Sequence, residues 1–334
     1  MTFELRAPDA ASVKISGDFM PAQDMKKGED GVWTFTSAPL APAMYSYTFT
    51  ADGLRGIDPV NPILQPGERS ASSIFTVPGD KPAPYEVQPV PHGTVHINTY
   101  ESKSIQGPRT AWIYTPPGYE SSSARYPVLY LLHGSGDTQN GWVMIGRAHH
   151  IMDNLIAAGK AKPMIVVMPY GRPMADVTLV QNRAAAPQQG NATAAFQDDL
   201  LKDLIPAVEK MYRVSARPDD RALAGLSMGG GQTLQIGLSH LDTFHSLGAF
   251  SAAGRGNPED AYKEFFADPA AHGKKLKLFY IACGKTDSLF AGAQNLHEAL
   301  DKHKIRHVFV ASEEGHVWRN WRNYLADFAP QLFR

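Results

Sequence analysis

The sequence predicts an α/β protein with a mostly parallel central sheet, preceded by a small all-β sandwich. Two observations carry that reading. Up to about residue 78, short segments alternate polar and apolar residues with period two between Gly, Pro and Asp breaks. Beyond about residue 93, wholly apolar runs alternate with stripes at helical spacing, the pattern of strands buried on both faces and covered by helices. A length of 334 residues exceeds one ordinary core and suits one large domain with one small one.

In the first region, Ser12–Ser16, Val32–Thr36 and Tyr45–Phe49 alternate as half-buried strands, and Gly28–Gly31 and Ala51–Gly53 supply turn chemistry. Trp33 is either a core residue or a stacking platform. Pro78, Pro82, Pro84, Pro89 and Pro91 then mark an extended linker, because proline cannot donate to a ladder. These features divide the chain into a sandwich over 1–85, a linker to about 92 and a larger domain over 93–334. In that domain the expected strands are Tyr126–Leu132, Met164–Met168, Arg221–Gly225, Ser246–Phe250, Leu276–Ile281 and His307–Val310. Helices are expected over Phe196–Arg213, Ala291–His303 and Trp318–Phe328; the first carries Leu200, Leu201, Leu204, Ile205, Val208 and Met211 as one stripe.

Composition narrows the function. Hydrophobic residues make up 43% and charged residues 19%, globular proportions that exclude a mainly disordered chain. No apolar run approaches the ~20 residues that cross a bilayer, and a net charge of -1 gives no reason to expect nucleic acid or an anionic lipid surface. With one cysteine, Cys283, an intrachain disulfide is impossible and a thiolate zinc cluster is disfavoured. No metal or cofactor is expected. The chain opens on a strand-like pattern without a basic, apolar leader, which leaves either a cytosolic protein or one whose leader has been removed.

The chemistry centres on Gly225-Leu-Ser227-Met-Gly229, the one Gly-x-Ser-x-Gly in the chain, set where a buried strand meets a helix. In such an elbow the glycines let neighbouring backbone pass and the serine hydroxyl stands above the sheet. A serine hydroxyl needs a base, and the base needs an orienting acceptor. The chain order serine, acid, histidine selects Asp287, just past the strand Leu276–Ile281, and His316, in the loop after the last strand. The remaining histidines precede the elbow, come too early, lie within the predicted helix or begin a strand. The oxyanion donors are expected to be the backbone N–H of Met228 and, after Leu131-Leu-His-Gly134, that of Ser135; alternatively Gly134 and Gly136 only turn the chain. His133 reads as a structural hydrogen-bonding residue.

These motifs in this order resemble the alpha/beta-hydrolase superfamily. More closely they resemble carbohydrate esterase family 1, which contains feruloyl and acetyl-xylan esterases, with enterochelin esterases and esterase D as relatives. The matching residues are Tyr130-Leu-Leu-His-Gly134 with Trp142, Val166-Val-Met-Pro169 with Gly171-Arg172, Gly225-Leu-Ser-Met-Gly-Gly230, and Gly315-His-Val-Trp318 with Trp321-Arg322. Ala7-Pro-Asp-Ala, Gly17-Asp-Phe19, Gly31-Val-Trp33-Thr34, Tyr45-Ser-Tyr47 and Asp58-Pro-Val-Asn61-Pro62 resemble an immunoglobulin-like early-set module related to family 48 carbohydrate-binding modules. The resemblance implies a metal-independent serine carboxylesterase acting on feruloyl esters of plant cell-wall polysaccharides, exported from the cytoplasm, with acetyl-xylan hydrolysis, acyl transfer or sugar binding without catalysis as rivals. Trp142, Tyr170 and Trp318 are expected to wall an aromatic acyl pocket, or else to be packing residues. Glu314, before Gly315-His316, departs from the family's usual glycine and brings a second carboxylate near the base. The stretch Tyr170–Asn191 is expected to select the acyl group.

Overall fold

The apolar runs of the second region hydrogen-bond into one eight-stranded sheet in the computed structural model, which describes residues 1–174, 192–252 and 256–334. The strands are β1 (Thr94–Ser102), β2 (Gly107–Thr115), β3 (Val128–Leu132), β4 (Ile165–Pro169), β5 (Arg221–Leu226), β6 (Ser246–Phe250), β7 (Leu278–Gly284) and β8 (Val308–Ser312), in the spatial order β1-β2-β4-β3-β5-β6-β7-β8. β1, β2 and β4 pair antiparallel; from β4 to β8 every neighbouring pair is parallel. Every residue of β3, β4, β5 and β6 is buried, so their apolar runs have no polar alternation. The hairpin β1–β2 is the part of this sheet that the apolar runs do not announce.

Four helices position the site: α1 (Ala148–Ala157), α2 (Met228–Ser239), α3 (Phe290–Lys302) and α4 (Trp318–Phe328). The helical stretch expected from Phe196 runs from Ala192 to Met211, but its middle, Asp199–Leu204, is a π-helix. Leu200, Leu204, Ile205 and Val208 are buried as the stripe predicts. Met211, the last residue of the stripe and of the helix, is 40% exposed.

By contact density the chain divides into two compact units, Met1–Glu86 and Val87–Arg334. The first holds two antiparallel sheets, one of three strands and one of six. Phe3, Val13, Ile15, Tyr47 and Phe49 fill the space between their alternating strands. Trp33 belongs to that core: its ring is buried, its Nε1–H donates to the Ala7 carbonyl at 2.9 Å, and the Lys27 ammonium lies over its face.

Candidate active site

β5 ends at Leu226 and α2 begins at Met228, so Ser227 alone makes the turn. Its backbone is forced to φ 51°, ψ -115°, a region a non-glycine residue enters only under strain. The turn is held by the Ser227 N–H donating to the Phe250 carbonyl at 2.8 Å and the Gly231 N–H donating to the Ser227 carbonyl at 2.9 Å. Glycine is required on either side. A Cβ on Gly225 would lie 2.6 Å from the Gly229 carbonyl carbon, and one on Gly229 would lie 2.6 Å from the His133 carbonyl oxygen.

Asp287 follows β7 in a turn closed by its own N–H to the Gly284 carbonyl at 3.0 Å. Its side chain is fully buried. One carboxylate oxygen accepts the Leu289 N–H at 2.9 Å and the other faces His316 Nδ1 at 2.7 Å. Burial pushes this carboxyl up, but the imidazole of His316 and the Leu289 N–H outweigh it and hold it below the usual carboxylate range.

His316 sits in the loop between β8 and α4. Its Nε2 lies 2.9 Å from Ser227 Oγ, so one ring connects the three side chains over 89 residues of sequence. The loop is pressed against the end of β7, where only glycine fits: a Cβ on Gly284 would fall 1.5 Å from the Glu314 carbonyl oxygen. Asn320 donates to the Gly315 carbonyl at 3.0 Å, and Trp321 meets the His316 ring edge-on with centroids 5.0 Å apart. Glu314 turns to Arg319, 2.7 Å away on the exposed side, instead of joining the base.

The expected oxyanion donors come from two adjoining turns. Met228 is the first residue of α2, where N–H groups have no intrahelical acceptor and the dipole favours negative charge. The turn after β3 lies alongside, since a Cβ on Gly134 would come within 3.4 Å of Ser227 Cβ. Ser135 is exposed in this turn, and its Oγ accepts from Arg172 at 2.9 Å. His133 is buried beneath it. Its Nδ1 donates to the Gly134 carbonyl at 2.7 Å and its Nε2 accepts the Gly171 N–H at 2.9 Å, which makes it a brace.

Trp142, Tyr170 and Trp318, expected either to wall an acyl pocket or to be packing residues, are all buried. Trp142 is wholly inaccessible, its Nε1–H donating to the Leu132 carbonyl at 2.9 Å and its ring meeting Trp318 edge-on. Trp318 is itself buried and packs on Trp321. Tyr170 is buried and stacks on His133, its centroid 5.6 Å away. An indole N–H under the end of β3 must find an acceptor, and the one it finds turns the ring inward. Residues 175–191 of the expected specificity stretch lie outside the described residues. A cavity of about 880 Å³ opens beside Ser288 and Leu289, but Ser227 and His316 do not line it.

Two residues that composition gave no reason to single out complete the support. Arg109, on β2, donates to the carbonyls of Arg172 at 2.7 Å, Met174 at 2.6 Å and Tyr170. Gln232, on α2, donates to the Gly171 carbonyl at 2.8 Å. Together they fix the backbone that supports His133.

Residues 102–332 match the family described as putative esterase. Across 99% of its length the chain is 34% identical to an endo-1,4-beta-xylanase/feruloyl esterase of Xylanibacter ruminicola, covering 44% of that protein. Among solved structures it is similar to a carbohydrate esterase family 1 ferulic acid esterase from the anaerobic fungus Anaeromyces mucronatus, with a TM-score of 0.62, 25% identity, and 76% of this chain and 96% of that one covered. The enterobactin esterase of Shigella flexneri shares the fold through both units, with a TM-score of 0.74 at 19% identity over 99% of this chain and 92% of that one. The chain spans about half the length of the curated relatives it matches.

Proposed function

We propose that the chain, a member of the putative esterase family, is a carboxylic-ester hydrolase in which Ser227 is the nucleophile, His316 the general base and Asp287 the acceptor that orients the base. The observation that carries this reading is the single imidazole held at 2.7 Å from Asp287 and 2.9 Å from Ser227. With Nδ1–H donated to the carboxylate, Nε2 presents its lone pair to the hydroxyl. Ser227 Oγ attacks the ester carbonyl as its proton passes to Nε2. The imidazolium formed is stabilised by Asp287, whose lowered pKa keeps it ionised. The N–H groups of Met228 and Ser135 receive the oxyanion. The imidazolium then protonates the departing alcohol, and water, deprotonated by the same nitrogen, releases the acid from the acyl-enzyme. No metal or cofactor enters this sequence.

For substrate we propose feruloyl esters of plant cell-wall polysaccharides. The relative from Xylanibacter ruminicola, described as an endo-1,4-beta-xylanase/feruloyl esterase, and the Anaeromyces mucronatus structure, described as a ferulic acid esterase, support this class. The substrate would place the enzyme outside the cytoplasm. The unit Met1–Glu86 is proposed as an immunoglobulin-like early-set module; Trp33 is buried in its own core, so that ring is not a sugar platform.

The test is turnover of methyl ferulate, para-nitrophenyl acetate and acetylated xylan by wild type and by Ser227→Ala. Loss of nearly all turnover in a folded Ser227→Ala, with methyl ferulate preferred by wild type, is the expected result. Near-wild-type turnover by the variant would refute the nucleophile assignment. Acetylated xylan cleaved with methyl ferulate untouched would shift the substrate to the acetyl class.

A further inference from the structure

A second cluster of ionisable side chains lies outside the triad, where the segment before β1 meets α1. Asp153 is buried on α1, and its two oxygens are used differently. Oδ1 is fixed by the Gly93 N–H at 2.8 Å and the Tyr114 hydroxyl at 2.7 Å. Oδ2 faces two imidazoles: His92 Nδ1 at 2.9 Å, and His150 Nδ1 at 3.9 Å, beyond hydrogen-bond reach. His150 Nδ1 is buried and has no hydrogen-bond partner, a costly arrangement for a ring nitrogen. The His150 side chain is 17% exposed, and its ring is held against that of His149 with centroids 3.8 Å apart. The spacing of His150 and Asp153, one turn of helix apart, keeps both groups on one face of α1.

We propose that Asp153 Oδ2, His92 Nδ1 and His150 Nδ1 form a binding site for a divalent transition-metal ion of the zinc type. Nitrogen and oxygen ligands about 2.1 Å from a tetrahedral ion stand about 3.4 Å apart, and the two observed separations from Oδ2, 2.9 and 3.9 Å, bracket that span. All three ligand atoms lie within 4.8 Å of one another. Imidazole with carboxylate is the donor set that selects zinc, cobalt or nickel over calcium or magnesium. The hydrogen bonds from Gly93 and Tyr114 to Oδ1 supply the outer support that orients a metal-binding carboxylate. His92 is 41% exposed, so the ion can enter from solvent, which also supplies its fourth ligand.

The site has a structural consequence. His92 belongs to the stretch that leads into β1, whereas His150 and Asp153 belong to α1. An ion at this point ties that stretch to the helix and gives His150 Nδ1 the partner it lacks. Its binding stabilises the folded chain by mass action and leaves the chemistry at Ser227 unchanged.

A second grouping, His297, Asp301 and His307, is the natural control. There the two rings already bond each other, with His297 Nδ1 2.7 Å from His307 Nε2, and Asp301 is mostly exposed. The experiment uses the full chain freed of any affinity tag, titrated with zinc chloride by calorimetry and with cobalt chloride by visible absorption. Wild type is expected to bind one zinc ion per chain, to develop cobalt d–d bands and to melt at higher temperature with zinc. His92→Ala and His150→Ala should each weaken zinc binding at least about tenfold, while His307→Ala should not. Should His150→Ala fail to fold, His92→Ala decides alone, since that side chain is exposed. The absence of saturable one-to-one binding, or binding kept by His92→Ala and lost by His307→Ala, would overturn the site.

Discussion

Arg109 and Asp199 form an ion pair 3.0 Å apart with both side chains fully buried. Arg109 reaches Asp199 from β2, and its remaining donors hold the carbonyls of Tyr170, Arg172 and Met174. The pair therefore ties the segment after β4 to the start of the π-helical turn, and Tyr100 donates to the same carboxylate at 2.9 Å. Removing one partner leaves the other buried and unpaired, a loss of roughly 3–5 kcal/mol. Arg109→Met should show that loss in urea unfolding and should also lower kcat/KM, because the carbonyls it releases support His133. Burial pushes the Asp199 carboxyl above its usual range despite Arg109, so Asp199→Asn should cost less than Arg109→Met. Equal losses from the two variants would contradict this ordering.

Asp287→Asn separates orientation from binding. An amide in that place presents the wrong hydrogen-bond partner to His316 Nδ1, and the equivalent change in a serine triad costs about 10⁴ in kcat; a fall of that order with KM little changed is expected here. The same variant changes how stability depends on pH. The folded carboxyl ionises below the ordinary carboxylate value, so the unfolded chain takes up a proton first as pH falls. The stability this contributes is complete above about pH 4 and is lost as pH drops towards the folded value. Urea unfolding at about pH 6 and about pH 3.5 should show a steeper loss in wild type than in Asp287→Asn.

Ser227→Gly tests the strain in the elbow. At φ 51°, ψ -115°, a Cβ costs on the order of 1–3 kcal/mol, which glycine avoids at an entropic expense of about 1 kcal/mol. The variant should be inactive and yet about 1 kcal/mol more stable than wild type by chemical denaturation. A less stable Ser227→Gly would mean that the turn is unstrained.

The positions of the proposed triad residues have signals in the sequence, because each sits at a strand end: the glycine pair around Ser227, the turn after an apolar run for Asp287, and Gly315-His316 before a helix. Their meeting is expected from chain order alone; the contact that presses the His316 loop onto β7, with the glycine at 284 admitting the Glu314 carbonyl, has no such signal. The hairpin β1–β2 escaped notice for a different reason. Its inner face carries Arg109, a buried cation whose partner lies 90 residues away, so the run reads as surface. The π turn was equally invisible: an apolar stripe at three- and four-residue spacing looks the same whether or not one turn widens.

Trp142 marks a motif and lies in the core, so its packing role and its expected place at the substrate are tested together. Its ring is sealed between Phe250 and Trp318, and its N–H holds the last carbonyl of β3, next to the turn that carries Ser135. Trp142→Phe removes ring volume and leaves the Leu132 carbonyl without its donor. The cavity and the lost hydrogen bond together should cost about 2–3 kcal/mol. KM for methyl ferulate should stay near the wild-type value, since no part of this ring meets solvent. Stability and kinetics measured on the same preparation discriminate the two roles. A packing residue lowers the unfolding free energy and spares KM, whereas a pocket wall raises KM at nearly constant stability, and the second outcome would return Trp142 to the substrate site.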